Sequence, residues 1–436
     1  MSFPSPQPHK VEEITLSHRF AQVRATSIQI CQPLETEDYV IQSMPDVSPP
    51  KWHLAHTTWF YETFILKPYF KDYREFHPQY SYLFNSYYQN VGPRHSRNHR
   101  GLLSRPILED IFRYREYVDE AILTLLDGDF IEDVADRLVL GLHHEQQHQE
   151  LLLTDIKHIL GSNPLLPTYS HGLPANFFSN SQVELLNDLK WQSFKGGLFR
   201  QGSSASANGQ KHFIFDNESP VHQTFVNPFQ VATRLVTNQE YLAFIEDKGY
   251  EQPDLWLDDG WHWIQRHRLA HPLYWHYRDG QWHEFTLYGL QALPLAHPVI
   301  HVSFYEADAF ARWQGKRLLT ESEWELIALQ YPLKGQFFEQ QQLHPSSIGC
   351  NQPEASLEQL FGYAWEWTQS DYAPYPGFKP AEGALGEYNG KFMCNQKVLR
   401  GGSLATSETH FRKTYRNFFY PHSQWQFTGI RLAESL

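Results

Sequence analysis

The apolar pattern of this chain changes period once, and that change limits the fold more than any other feature. Up to about residue 165, apolar residues recur at three- and four-residue spacing among charges, over 11–31, 50–66, 107–127 and 130–161. That is the period of amphipathic helices. Ile107, Leu108, Ile111 and Phe112 open the third segment. Val134, Leu138, Leu142, Leu152 and Ile156 mark the fourth, with Gly161 expected as its C-cap. Four such helices predict a four-helix bundle. From Trp191 onward, short apolar runs alternate with Gly, Asn, Asp and Pro. Helices are expected there near Thr237, from Ser303 to Trp313 and after Thr320. Between the two patterns, 166–190 carries Pro167, Gly172 and Pro174 and reads as a linker. The expected fold class is an α+β multidomain chain: a helical bundle over 1–165, a linker over 166–190 and an irregular α+β domain over 191–436.

Length and charge agree with that division. A chain of 436 residues exceeds the size at which single cores stop growing. Lys and Arg number 36 against 49 Asp and Glu, a net charge of −13. Such a chain is a poor ligand for nucleic acid or for an anionic membrane, and self-association is left open. No apolar run approaches the roughly 18 residues of a membrane span. The polar, Pro-rich start lacks the apolar stretch of a signal peptide. Cys31, Cys350 and Cys394 are too widely spaced for a disulfide framework or a Cys-rich zinc site. A cytoplasmic location is expected.

The 24 histidines carry the chemistry. His144 and His148 stand at i and i+4 of the fourth segment, one turn apart on one face, a spacing that suits two ligands of one metal ion. The same string fits HExxH, with Glu145 as the base of a zinc hydrolase. That reading lacks a third ligand: Leu151 and Thr154 stand where one large class needs Gly and His, and no Glu occurs between Leu151 and Val183. Upstream, His53 and His56 sit at i and i+3, and spacing alone does not choose between them. Glu150 lies about 200° around the helix from His148, which suits a supporting or surface role better than direct ligation. Three neutral imidazoles on iron leave positions for a thiolate and O2; on zinc they leave one for water. The connection from about 68 to 106, rich in Tyr, Asn, Gly, Pro and Arg, is too long for a turn and reads as a functional loop.

WHLAH at 52–56 and HEQQHQE at 144–150 resemble the DinB-like bundle of the ergothioneine-biosynthetic sulfoxide synthases. GGLFRQGS at 196–203, the stretches 215–245 and 297–325, GYAWEWTQSDY at 362–372, LRGGS at 399–403 and GIRLA at 429–433 resemble a formylglycine-generating-enzyme-like domain of C-type-lectin type. The resemblance implies a mononuclear non-haem Fe(II) on His56, His144 and His148. It implies that a cysteine-type thiol and O2 react there with hercynine, a trimethylated histidine, to give a carbon–sulfur bond and a sulfoxide. Gln147 would bind the substrate imidazole, and Tyr87 and Tyr88 match the catalytic tyrosine pair of one branch. Arg94 and Arg97 match the residues that hold the thiol donor's carboxylate, with Arg100 near enough to share the task. Asn417 would bond hercynine, and Phe418 and Phe419 would face its quaternary ammonium, which offers no N–H and is met by aromatic faces.

The chain departs from formylglycine-generating enzymes at one point. No cysteine follows Ser403, so their two-cysteine chemistry is excluded and only the fold is shared. Three rivals stay open: a selenoneine synthase taking a selenium donor, decided within residues 82–100; a zinc-dependent DinB-type thiol transferase; and the HExxH hydrolase. Cysteine is favoured over γ-glutamylcysteine as sulfur donor, because the Tyr87–Tyr88 branch resembles enzymes that accept it.

Overall fold

The structure, a computed structural model, describes residues 15–174, 177, 189–207, 210–347, 357–380, 382, 384–387 and 389–436. Its first part is helical. α1 (Leu16–Cys31) starts on Thr15, whose hydroxyl accepts the His18 N–H at 3.2 Å. α2 (Pro50–Tyr61) begins with proline at its first position, where no N–H is needed, and all twelve of its residues are buried. It runs through a π turn, Glu62–Leu66, into the single turn α3 (Lys67–Tyr69). The long loop that follows holds α4 (Tyr80–Phe84) and two 3-10 turns, Gln89–Val91 and Arg97–Leu102. α5 (Leu108–Asp127) and α6 (Glu132–Ser162) each place two acidic residues in the first turn, where the helix dipole favours them. α1 packs on α6, and α2 on both α5 and α6.

Gly161 is not a cap. The helix continues to Ser162, and a Cβ on Gly161 would meet Phe285 Cδ1 at 2.9 Å and Tyr274 Cε1 at 3.0 Å. The missing side chain lets α6 run against the second domain.

That domain is built from short strands. One sheet has the order β1 (Trp191–Phe194), β6 (Phe229–Ala232), β15 (Leu432–Ser435), β10 (Arg317–Leu318). A second has the order β13 (Asn417–Phe419), β12 (Lys397–Arg400), β11 (Trp365–Asp371), β14 (Thr428–Gly429). β2 (Gly197–Gln201) pairs with β5 (His222–Val226), and β3 (Ser206–Ala207) with β4 (Gln210–Lys211). Residues 258–292 hold a helix and the antiparallel sheet β7 (Trp275–Arg278), β8 (Gln281–Thr286), β9 (Gly289–Ala292). The helices are α7 (Asn238–Glu246), α8 (Asp258–His267), α9 (Phe304–Trp313) and α10 (Glu321–Ala328). Three of them start on reciprocal capping boxes, Thr237 with Glu240, Ser303 with Glu306 and Thr320 with Glu323.

The two parts share a core. One apolar cluster joins Trp59, Leu142 and Ile156 of the bundle to Phe285, Leu287, Leu404 and Phe427. About half of the expected linker lies outside the described residues; at its start, Tyr169 is buried and bonds Ile30 O at 2.8 Å and Leu287 O at 3.2 Å. Among the described residues no helix is long and apolar enough to cross a membrane.

Candidate functional site

The middle of α6 is buried nearly all round, because the bundle covers one side and the second domain the other. His144 and His148 lie there. α2 crosses α6 and brings His56 to them, so that one nitrogen from each ring lies within 4.8 Å of the others. His56 is sandwiched between Trp52 and Trp59, with centroids at 4.5 and 5.5 Å. Its Nδ1 lies 2.5 Å from Phe84 O, at the end of α4. That carbonyl fixes the proton on Nδ1 and leaves a lone pair on Nε2, which has no hydrogen-bond partner. His144 packs on Phe60, and its Nδ1 is also without a partner. Burial lowers the pKa of all three rings, His144 to about 4, and neighbouring imidazoles lower His56 and His148 further. All three are neutral at pH 7, the form that binds metal.

His53 does not join the trio. Its Nδ1 lies 2.9 Å from His148 Nδ1 and its Nε2 2.9 Å from Asp155 Oδ2. The helical turn thus separates two histidines that spacing could not rank.

The two glutamates are also accounted for. Glu145 is fully buried on the side of α1 and α5, bound by Ser27 at 2.7 Å, Arg24 at 3.0 Å and Arg115 at 3.2 Å. Burial raises its pKa, but the two guanidiniums outweigh this and hold it below the usual carboxylate value. A carboxylate so bound is no free base, which removes the structural basis of the HExxH hydrolase reading. Glu150 is neither a ligand nor a surface group. It takes hydrogen bonds from Trp365 Nε1 at 2.5 Å and from the Ser403 and Thr406 hydroxyls at 2.7 Å each. Gly401 and Gly402, at φ +103° and +77°, turn the chain so that Ser403 reaches it.

A cavity of about 140 Å³ opens above His148, between the domains. Trp52, Tyr87, Arg97, Arg100 and Gln147 line it from the bundle; Tyr415, Asn417, Phe418 and Phe419 line it from the second domain. A larger cavity, about 830 Å³, lies on the His144 side and includes Phe60, Tyr88 and Phe213; Gln147 lines both. Gln147 Nε2 donates to Tyr415 Oη at 2.8 Å. Asn417 to Phe419 form β13, paired on β12 with Phe418 opposite Val398. Phe418 stacks on Tyr372 at 4.0 Å, and Phe419 meets Trp425 edge-on at 6.0 Å.

The loop tyrosines part company. Asn85 bonds the Tyr88 N–H and carbonyl at 3.2 and 3.0 Å, an Asx-type turn that fixes the pair. Tyr88 is packed among Trp59, Phe60 and Phe64. Tyr87 meets the cavity and stands edge-on to Phe392 of the second domain. Burial pushes the Tyr87 hydroxyl up, but Arg97, Arg100, Ser86 and Arg94 together bring it below the ordinary tyrosine value.

The arginines divide differently from the sequence expectation. Arg94 is exposed, bonds the Ser86 carbonyl and is absent from the cavity wall. Arg97 and Arg100 are in that wall. Arg100 lies flat over Trp52, 3.3 Å from the ring centre, and bonds the Ser48 and Ser86 hydroxyls at 2.8 and 3.0 Å. Burial lowers its pKa to about 9. Arg97-Asn98-His99-Arg100 is a second RxxR string in the same loop, so the signal was present in an overlapping register. Asp155 was also readable: it stands at i+7 from His148, two turns along the same face.

With this geometry in place, the comparisons are specific. The sequence profile of the sulfatase-modifying factor enzyme 1-like domain matches residues 191–436. The hercynine oxygenase of Mycolicibacterium smegmatis is 31% identical over 96% of this chain and 98% of the relative. That of Mycobacterium tuberculosis is 30% identical over 96% and 98%. The formylglycine-generating enzyme of Streptomyces coelicolor, 27% identical, covers 55% of this chain and 87% of its own. Matched from end to end by such relatives, this chain belongs to the hercynine oxygenase family of oxidoreductases.

Proposed function

We propose that the protein is a non-haem Fe(II)- and O2-dependent sulfoxide synthase of ergothioneine biosynthesis, joining the sulfur of cysteine, or of γ-glutamylcysteine, to the imidazole of hercynine. The observation that carries this reading is the convergence of three buried, neutral imidazoles, one of which, His148, opens onto a cavity whose walls include Arg97, Arg100 and several aromatic rings. The unpartnered Nε2 of His56, buried beside two further imidazoles, fits a metal better than it fits a packed core. Fe(II) on such a set supplies the one-electron and O2 chemistry that no side chain offers.

The chain's own residues then do the positioning. Gln147 spends its amide N–H on Tyr415, which leaves its carbonyl to accept from the hercynine imidazole. Asn417 hydrogen-bonds hercynine, and Phe418 and Phe419 face its trimethylammonium. Arg97 and Arg100 hold the thiol donor's carboxylate; a guanidinium already flat against Trp52 loses little freedom on pairing. Arg94 braces the loop through Ser86. Tyr87 Oη holds a proton at the cavity wall and gives it up as charge develops. This reading assigns the protein to the cytoplasm.

The test is an aerobic assay of the Fe(II)-loaded protein with hercynine plus cysteine and, in parallel, hercynine plus γ-glutamylcysteine, following O2 uptake and product mass. A hercynine–cysteine sulfoxide with stoichiometric iron is expected. No adduct from either thiol despite bound iron, or a preference for zinc without O2 uptake, discards the reading.

A further inference from the structure

His53 and Asp155 take no part in the reading above, yet both are buried at the site, 3% exposed each. Asp155 Oδ2 accepts the Ser48 N–H at 2.8 Å and faces His53 Nε2 at 2.9 Å. A carboxylate there places the proton on His53 Nε2. A neutral His53 then presents a bare Nδ1 to His148 Nδ1, 2.9 Å away, and His148 must carry its proton on that atom. The lone pair of His148 is left on Nε2.

We infer that Asp155 and His53 are positioning residues, which fix the ring and the proton of His148 so that its Nε2 serves the metal site; the inference rests on the reading that the trio holds a metal. The three ligands are then unequally supported. His148 is backed by an imidazole and a carboxylate, His56 by the Phe84 carbonyl alone, and His144 Nδ1 has no partner. A carboxylate-backed imidazole is the more basic donor and keeps its orientation when the metal leaves. Both histidines of the 52–56 string are therefore used, one toward the metal and one behind the opposite ligand.

The test is Co(II) titration of the metal-free full-length protein, read by affinity and by the visible ligand-field spectrum, in the wild type, Asp155→Asn, His53→Gln and His148→Ala. Asparagine keeps an acceptor oxygen for Ser48 and His53 and removes the charge. The expected result is a roughly ten- to hundredfold loss of Co(II) affinity in Asp155→Asn and His53→Gln, with an altered spectrum and an unchanged melting temperature of the metal-free protein. Wild-type affinity and spectrum in both variants would overturn the inference while leaving the metal reading intact. An equal fall of stability and affinity with an unaltered spectrum would assign the pair to packing and also overturn it. A wild type that binds no Co(II), or binds it as well as His148→Ala, removes the metal reading and this inference with it.

Discussion

At Tyr87 the neighbouring charges decide what the residue can do. Arg97, Arg100 and Arg94 stabilise the phenolate, so the hydroxyl gives up its proton more readily than a tyrosine in water. As a proton donor it acts only while protonated, so activity should fall as pH rises through this lowered pKa, reached below about 10. Tyr87→Phe is expected to keep metal and hercynine binding, to lose sulfoxide yield by about a hundredfold, and to lose that alkaline fall from its residual rate. Product mass and rate measured from neutral pH up to about 10 check this. Tyr88→Phe, packed among Trp59, Phe60 and Phe64, is expected to change the product ratio much less. At this scale the sequence was legible where spacing acts through a helix and ambiguous where it acts through a loop. His144 and His148 followed from one turn of α6. The choice between Arg94 and Arg100 did not follow from spacing, because two overlapping RxxR strings differ only in how the 3-10 turn Arg97–Leu102 aims them.

Among the elements, α6 carries the most. Its 31 residues supply two of the three imidazoles, Gln147, Asp155 and several hydrogen bonds to the second domain. Gly161→Ala tests its close approach. Alanine gains about 1 kcal/mol of helix propensity. The new Cβ would press on ring atoms of Phe285 and Tyr274 at 2.9 and 3.0 Å, and both rings are buried, so overpacking of about 1–3 kcal/mol should outweigh the gain. A lower melting temperature of the variant is expected; a higher one would mean the two rings can yield. The bundle helices were readable because their apolar residues keep a 3.6-residue period over many turns. The strands, two to seven residues long, are too short to show a period, and in 250–295 Trp, Tyr and His within the helix and strands blur the apolar pattern. Hence α8 and the sheet β7–β9 went unseen, whereas α7, α9 and α10 announced themselves by Thr or Ser ahead of an apolar stretch.

For the molecule as a whole, the shared core and the buried Glu150 bonds tie the two parts into one unit. Heating should therefore give one calorimetric transition; two resolved transitions would mean that the parts fold independently. Many of the contacts between them lie along one helix, Gln146 to Ser407, Gln147 to Tyr415, Glu150 to Trp365, Lys157 to His301 and Gly161 against Phe285, and the bundle loop adds Tyr87 against Phe392. A rotation of one part against the other would pull on the same helix that carries His144 and His148. The site is thus built as a slot more than as a jaw: whatever enters or leaves it passes between walls that one helix ties together.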